Sequence, residues 1–209
     1  MQIVAGAPWF RNLVSLTLTR CHFGAARPLG GLAGREAPAL RRLRFDECYY
    51  LGDGAARDLA RLRLPALEAL AVKGTVEKEY GGRPLPGESE ELTRKGTAAM
   101  MAAWGESLEE IDMQFIPGDP SHEDSLSAAL AAARLPRLRS LRLALCGLRG
   151  GALAALAAAA WASQLTSLDL SGNPLWGRLR GQGPDDDDCW GRFAAAPWGN
   201  LRALDLRCC

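Results

Sequence analysis

The chain has 209 residues, of which 25 are lysine or arginine and 24 are aspartate or glutamate, so its net charge is +1. Balanced charge gives no general attraction to nucleic acid or to an anionic membrane, and we expect neither as a partner. The length is large for one compact domain and ordinary for an array of repeated units.

One spacing of apolar residues recurs along the whole chain. In the first unit Leu13, Leu16, Leu18 and Cys21 occupy relative positions 1, 4, 6 and 9. Seven units begin at Leu13, Leu40, Leu67, Leu108, Leu138, Leu165 and Leu201. Three of the intervals between these starts are 27 residues long. A pattern of this length predicts a short strand, a turn and a helix in each unit.

The predicted elements follow this pattern in order. Strands are expected near residues 14–18, 41–45, 68–72, 109–113, 139–143, 166–170 and 202–206. Alanine-rich stretches predict helices near residues 54–63, 91–104, 124–134 and 150–161. Every strand is entered in the same way, which predicts a parallel sheet. The uncharged run at 150–168 approaches membrane-spanning length, but it is mostly alanine and glycine and ends in a strand, so we expect no membrane span.

Tryptophan or proline precedes each unit start, where a helix must end and a strand begin. Four tryptophans have this place, Trp9, Trp104, Trp161 and Trp198, and the other units have Pro38, Pro65 and Pro136. Because the tryptophans follow the repeat, we expect their rings in the core. Proline stops the preceding helix and favours an extended approach.

Two intervals are longer than the others and contain insertions near residues 76–90 and 176–197. Both are rich in glycine, proline and charge, which predicts exposed loops after a strand. Such insertions gather on one rim of a repeat array, where they either take part in binding or are tolerated by solvent. The acidic run Asp185–Asp188 is either a solvated turn or a weak cation site.

Position 9 is expected to be structural in every unit. It holds a polar or sulfur-containing residue at Cys21, Cys48, Cys146, Asn173 and Cys209. A thiol there is a small apolar group with a weak S–H donor, so the cysteines need no disulfide. Free thiols and a start without a secretory signal predict a reducing cytoplasm or nucleus. Cys189 and Cys208 have no assigned role.

We find no arrangement of side chains that predicts catalysis, and we expect neither an enzyme nor a bound metal or cofactor. The two histidines, His22 and His122, belong to no metal-ligand spacing. The stretches VKGT at Val72–Thr75 and GGLAG at Gly30–Gly34 do not match a phosphate-binding loop.

The candidate binding residues lie on the outer side of the predicted strands. Leucines at positions 1, 4 and 6 point into the core, so position 5 points outward. Positions 3, 5, 7 and 8 together supply Arg42, Arg44, Asp46, Glu47, Glu110, Asp112, Gln114, Phe115, Arg142, Asp169 and Asp205. The charges form either a cross-strand ladder or a recognition surface for a protein partner. Phe115 is either the apolar anchor of that surface or a structural residue of an irregular unit.

Several motifs carry a resemblance to a known family. They are LxxLxLxxC at Leu13–Cys21 and Leu138–Cys146, LxxLxFxxC at Leu40–Cys48, and CYYLGDGAARDLA at Cys48–Ala60. The array resembles the leucine-rich repeats of the ribonuclease-inhibitor-like group, and within it the cysteine-containing subclass. The resemblance implies an α/β solenoid of about seven repeats, a horseshoe with a parallel sheet on the concave face and helices on the convex face.

The function implied is a non-catalytic protein-interaction scaffold that binds a partner on the strand face. One alternative is the substrate-recognition arm of an F-box ubiquitin ligase, as in other members of the subclass. Another is an accessory that supplies an arginine to a GTPase. Residues 1–209 are expected to form a single repeat domain whose open ends continue into further repeats or associate with a partner. Thr75 and Ile116 depart from the pattern at position 9, which puts regular curvature in doubt there.

Overall fold

The computed structural model describes residues 7–21, 23, 30–32, 34–48, 51–74, 92–116, 125–175 and 189–209. Seven parallel strands form one sheet in chain order, β1-β2-β3-β4-β5-β6-β7. They are β1 Ser15–Thr19, β2 Arg42–Asp46, β3 Ala69–Lys73, β4 Glu110–Gln114, β5 Ser140–Arg142, β6 Ser167–Asp169 and β7 Ala203–Asp205. All seven predicted strands are confirmed, each beginning one residue later than predicted.

The strands form because leucines and other apolar residues alternate with polar ones. In β2, Leu43 and Phe45 are buried while Arg42 and Arg44 are exposed. The register places equivalent positions side by side, as in the pair Leu43 and Leu70. The apolar side chains of one sheet face therefore form a continuous core from unit to unit.

Five α-helices are described: α1 Asp53–Leu59, α2 Arg94–Trp104, α3 Ser125–Ala131, α4 Gly150–Ala157 and α5 Cys189–Ala195. Short 3-10 helices lie at Pro8–Asn12, Gly30–Leu32 and Ala162–Gln164. Consecutive α-helices contact one another and contribute buried residues such as Leu59 and Leu153 to the same core. The parallel α/β arrangement predicted from the sequence is thus confirmed.

The helix ends differ from the predictions by up to four residues. The first helix ends at Leu59 instead of 63, since Arg63 forms a parallel bridge with Glu36 of the preceding unit. The second begins at Arg94 instead of 91, after Thr93, whose side chain accepts a hydrogen bond from the Lys95 amide. The third is Ser125–Ala131 rather than 124–134, and the fourth ends at Ala157 rather than 161.

The prediction of a loop over 176–197 is wrong for its last part. Residues 189–195 form α5, which packs against α4. Cys189 and Phe193 are buried in this contact, and the Cys189 thiol lies close to Gly150. The insertion therefore ends in the helix of its own repeat unit. The insertion at 76–90, His22, His122, Thr75 and Asp185–Asp188 lie outside the described residues.

Two of the four tryptophans meet the expectation of a core position fully. Trp104 and Trp161 are each 2% exposed. The Trp104 indole N–H donates to the Leu62 carbonyl at 3.1 Å, and that of Trp161 donates to the Leu130 carbonyl at 2.9 Å. Each indole hydrogen bond thus connects a unit to the helical segment of the preceding unit.

The other two tryptophans are more accessible. Trp198 is partly buried against the core, and its indole N–H donates to the Phe193 carbonyl at 2.7 Å. The expectation is wrong for Trp9, which is 51% exposed. No described helix of an earlier unit packs on the Trp9 ring.

In four units position 9 joins the unit to the preceding one through a side-chain donor. The thiol of Cys48 donates to the Leu18 carbonyl at 3.1 Å, and the thiol of Cys146 donates to the Met113 carbonyl at 3.1 Å. In both pairs the acceptor is position 6 of the unit before. The thiol of Cys209 makes the same contact with the Leu170 carbonyl at 3.2 Å. These carbonyls lie where the strand ends, so a side-chain donor replaces the missing sheet partner.

Asn173 also joins its unit to the preceding one, and it forms more hydrogen bonds than the cysteines at position 9. Its amide nitrogen donates to the carbonyls of Leu143 and Leu170, both at 2.7 Å. Its amide oxygen accepts from the backbone N–H of Cys146 at 2.9 Å and of Leu148 at 3.0 Å. Asn173 is fully buried. One side chain thus satisfies backbone groups of two consecutive units.

Among the described residues at position 9, Ile116 is the exception, because its side chain is neither polar nor sulfur-containing. It is buried, 5% exposed, and its side chain has no donor to offer. Cys21 belongs to the first unit, and its thiol contacts the Thr19 carbonyl of its own unit at 3.6 Å.

Replacing Asn173 tests the position 9 interaction. Asn173→Ala leaves buried donors and acceptors unpaired, so we expect the free energy of unfolding to fall by about 3 kcal/mol. Asn173→Cys keeps one donor and the residue type found elsewhere in the array, so its loss is expected to be smaller. Urea denaturation of both variants measures the difference, and equal losses would contradict the assignment.

No described helix combines the length and apolar character that a bilayer crossing requires.

Candidate functional site

The sheet presents one face that no described element covers. Helices lie on one side of the strands, and the other side carries positions 3, 5 and 7 of each unit, which are exposed or partly exposed in most units. The predicted residues Arg42, Arg44, Asp112, Arg142, Asp169 and Asp205 all lie on this side. We call it the strand face.

A ladder of alternating charge crosses the middle of the strand face. The Arg142 guanidinium Nε lies 3.0 Å from Asp169 Oδ2, and its Nη1 lies 3.4 Å from Asp112 Oδ2. Lys73 extends the ladder, with its Nζ 3.5 Å from Asp112 Oδ2. The Arg142 side chain is 50% exposed, so each of its pairs contributes about 0.2–1 kcal/mol. The structure therefore brings together three residues predicted from the sequence and adds Lys73.

The outer strands carry charges that are paired within one strand or with the next turn. Arg44 Nε lies 2.5 Å from Asp46 Oδ2, and this hydrogen bond raises the pKa of the Arg44 guanidinium. Arg207 Nη2 lies 2.6 Å from Asp205 Oδ2, and hydrogen bonds from Arg207 lower the pKa of the Asp205 carboxyl. Asp205 is therefore not joined to the central ladder by an ion pair.

Two exposed charges on the strand face have no ion-pair partner among the described residues. They are Arg42 on β2 and Glu110 on β4. The register places both beside Ala69 of β3, one on each side. Unlike the charges of the ladder, these two are available to an incoming molecule.

Two apolar side chains stand exposed where β4 and β5 end. Phe115 is 55% exposed and Leu145 is 45% exposed. Both occupy position 8 of their units, and both have left-handed backbone, with φ of 53° and 57°. The sequence prediction named Phe115 but missed Leu145, although listing position 8 for every unit would have found it.

Left-handed backbone is found at position 8 in six of the seven units, the exception being Gly74. Arg20, Glu47 and Cys208 also have φ between 50° and 57°, and Gly172 has φ of 69°. This conformation costs about 1–2 kcal/mol for a residue with a Cβ atom. It turns position 8 outward and position 9 back into the core. The exposure of Phe115 and Leu145 thus follows from the turn that serves position 9.

Glycines make room beside both apolar residues. A Cβ atom on Gly172 would come within 2.8 Å of Leu145 Cγ, so the leucine lies directly over this glycine. A Cβ atom on Gly74 would overlap the Cβ and carbonyl oxygen of Phe115. The two side chains are therefore held at the rim by close backbone contacts.

Replacing either rim residue by glycine tests whether its side chain serves the fold. Phe115→Gly and Leu145→Gly remove the left-handed strain together with side chains that are about half exposed, so we expect stability to change by no more than about 1 kcal/mol. The matched control, Leu143→Ala, empties a buried site and is expected to cost about 2–5 kcal/mol. Thermal and urea unfolding measure both effects. A large loss in either glycine variant would make the residue structural.

The six cysteines are all free, and their environments differ sharply. Burial raises the pKa of the Cys146 thiol to about 12 and also raises the pKa of the Cys48 thiol. Cys208 is exposed at position 8. Thiol chemistry in the folded chain is therefore favoured at Cys208 and disfavoured at the buried thiols of Cys48 and Cys146.

Alkylation of the folded protein tests this difference. At about pH 8, a pKa of about 12 leaves Cys146 about a thousandfold less thiolate than an ordinary thiol has, and burial blocks access as well. We expect iodoacetamide to modify Cys208 first and Cys146 last, as followed by peptide mass spectrometry. In denaturant the two should react alike. Equal rates in the folded state would contradict the burial of Cys146.

Among the described residues, no group of three or more histidine, cysteine, aspartate or glutamate side chains is arranged to hold a metal ion. The paired charges of the ladder are partly exposed and lie on the uncovered face of the sheet. Such an arrangement can contact another macromolecule but encloses no small molecule.

Comparison with known proteins points in the same direction as the geometry. Residues 164–186 match the family model described as Leucine Rich Repeat. No curated protein matches the chain. The match supports a leucine-rich repeat protein, and that family typically consists of non-enzymatic modules for protein–protein interaction.

Proposed function

We propose that this chain is a non-catalytic scaffold that binds a partner protein on its strand face. The observation that carries the proposal is the uncovered face itself. Parallel sheets usually have helices on both faces, whereas the described helices cover only one side here. The open side displays charges of both signs and ends in two exposed apolar residues. This combination is typical of a protein-binding surface.

The proposed overall shape is a horseshoe of about seven repeats with the strands on the concave side. Neighbouring strands are about 4.8 Å apart, whereas packed helices need about 8–10 Å between axes. An array with strands on one side and helices on the other must therefore curve toward the strands. A concave face brings strand-face residues from several units within reach of one partner.

A narrower proposal is that the chain is the substrate-recognition arm of an F-box ubiquitin ligase. The support is the use of cysteine at position 9, where Cys48, Cys146 and Cys209 donate to the preceding unit. A full-length transcript that encodes an F-box on the N-terminal side would support this role. A full-length product without an F-box would contradict it and leave the general scaffold in place.

We further propose that the chain resides in the cytoplasm or nucleus, where cysteines such as those at position 9 stay as free thiols. Imaging of a fluorescent fusion in fixed and living cells tests this proposal, and a secreted product would contradict it.

Exchanging two ladder charges tests the proposed binding face. Asp112→Arg combined with Arg142→Asp keeps the net charge but reverses the local pattern beside Lys73 and Asp169. We expect about tenfold weaker binding of a protein partner, because misplaced charges in an interface oppose one another. Partners are captured from cells, compared by quantitative mass spectrometry, purified, and titrated by calorimetry.

The matched control exchanges an ion pair away from the strand face. Arg134 and Glu106 lie 2.8 Å apart, and both are well exposed beyond α3 and α2. Arg134→Glu with Glu106→Arg should leave both the fold and the affinity unchanged. A purified partner that binds the ladder variant and the wild type equally well would overturn the proposed face.

A further inference from the structure

A shallow trough crosses the strand face along β3. On this strand, positions 3 and 5 are Ala69 and Ala71, both partly exposed. The register sets Arg42 and Arg44 on the β2 side of these alanines and Glu110 on the β4 side. Small side chains on one strand between long ones on its neighbours leave a channel with alanine at its floor, which ends at Lys73, whose side chain reaches Asp112 of β4. We call this channel the alanine trough.

The walls of the alanine trough carry opposite charge. Arg42 faces Glu110 across Ala69, and neither has an ion-pair partner among the described residues. Further along, Arg44 is paired with Asp46, and Asp112 is paired with Lys73 and Arg142. The free charges are therefore one cation on the β2 wall and one carboxylate on the β4 wall. A complementary ligand carries an acidic group on one side and a basic group on the other.

The width of the alanine trough selects an extended chain. The strands that form its walls are two spacings apart, about 9.6 Å between backbones. An α-helix with its side chains is about 10–12 Å wide and cannot lie between the walls. An extended segment fits, and its successive side chains point to opposite sides. Adjacent acidic and basic residues of such a segment would face the two walls at once.

An apolar side chain lies just beyond the Lys73 end of the alanine trough. Phe115 follows β4 and stands next to Gly74, which follows β3, at the carboxyl ends of the two strands. Its ring is more than half exposed. Phe115 is five positions after Glu110, which is about 16 Å at about 3.3 Å per residue. A matching segment has an apolar side chain about four to six residues from its basic one.

We propose that the alanine trough binds an extended segment of a partner protein, with an acidic side chain on Arg42, an adjacent basic side chain on Glu110, and an apolar side chain against Phe115. This proposal rests on the proposed function and names the chemistry of the partner segment. Each wall of the alanine trough accepts only one sign of charge. The proposed site therefore differs from a surface patch that binds proteins without selectivity.

Panning a display library of short random peptides on the folded protein tests the proposal. On the wild type we expect enriched peptides to combine neighbouring acidic and basic residues with an apolar residue a few positions away. Arg42→Glu makes both walls acidic, so the enriched peptides should become basic on both sides. Glu110→Arg makes both walls basic, so they should become acidic on both sides. Arg134→Glu, a charge change on the helical side, should leave the selected sequences unchanged.

Filling the trough provides a second measurement. Ala71→Tyr places a large side chain on the floor of the channel while the buried face of β3 is untouched. A synthetic peptide taken from the wild-type selection should bind this variant at least about tenfold more weakly, as expected when a central contact is lost. Circular dichroism and urea unfolding establish that the variants are folded.

The outcomes separate this proposal from the general one. Three results would overturn the proposed binding to the alanine trough. They are selected peptides whose charges do not change with the wall charges, an absence of enrichment, and full binding to the Ala71→Tyr variant. If the exchange of Asp112 and Arg142 weakens the binding of a partner but Ala71→Tyr does not, the partner binds the strand face outside the alanine trough. If neither change weakens the binding of any partner, the proposed function is wrong as well.

Discussion

The array depends on a hydrogen bond from position 9 of one unit to the position 6 carbonyl of the unit before it. Cys48, Cys146, Asn173 and Cys209 all make it, at distances of 2.7 to 3.2 Å. At these four positions the bond satisfies a backbone carbonyl near the end of a strand inside the stacked array, whereas Ile116 offers no donor. A small polar or sulfur-containing side chain satisfies this carbonyl and lets the chain leave the sheet for its helix.

The same bond decides what the rim of the sheet displays. To return position 9 to the core, the chain takes left-handed backbone at position 8, and the side chain there is turned outward. Phe115 and Leu145 are exposed for this reason, although both are large apolar residues. Stability and binding are thus connected, since a turn that the fold requires produces the apolar edge of the proposed interaction surface.

The strand face divides its charges between two tasks. Arg142 lies between Asp112 and Asp169, and these pairs mainly hold neighbouring side chains in a fixed arrangement. Arg42 and Glu110 are left without ion-pair partners among the described residues, with alanine between them. A partner that satisfies both free charges gains specificity, because a segment with a single sign of charge meets repulsion at one wall.

The sequence alone determined the strands, their parallel order, the residues of position 9 and the outward column that holds Arg142 and Asp169. These follow from a regular period, because each unit must bury the same leucines against its neighbours. Only the tertiary structure decided which charges pair, which remain free, and that Leu145, Phe115 and Trp9 are exposed. Those outcomes depend on distances between residues about 27 or more positions apart, and on a turn whose backbone angles no side-chain pattern specifies. The position of the helix at Cys189–Ala195 was also decided only by the tertiary structure, because packing against α4 sets it.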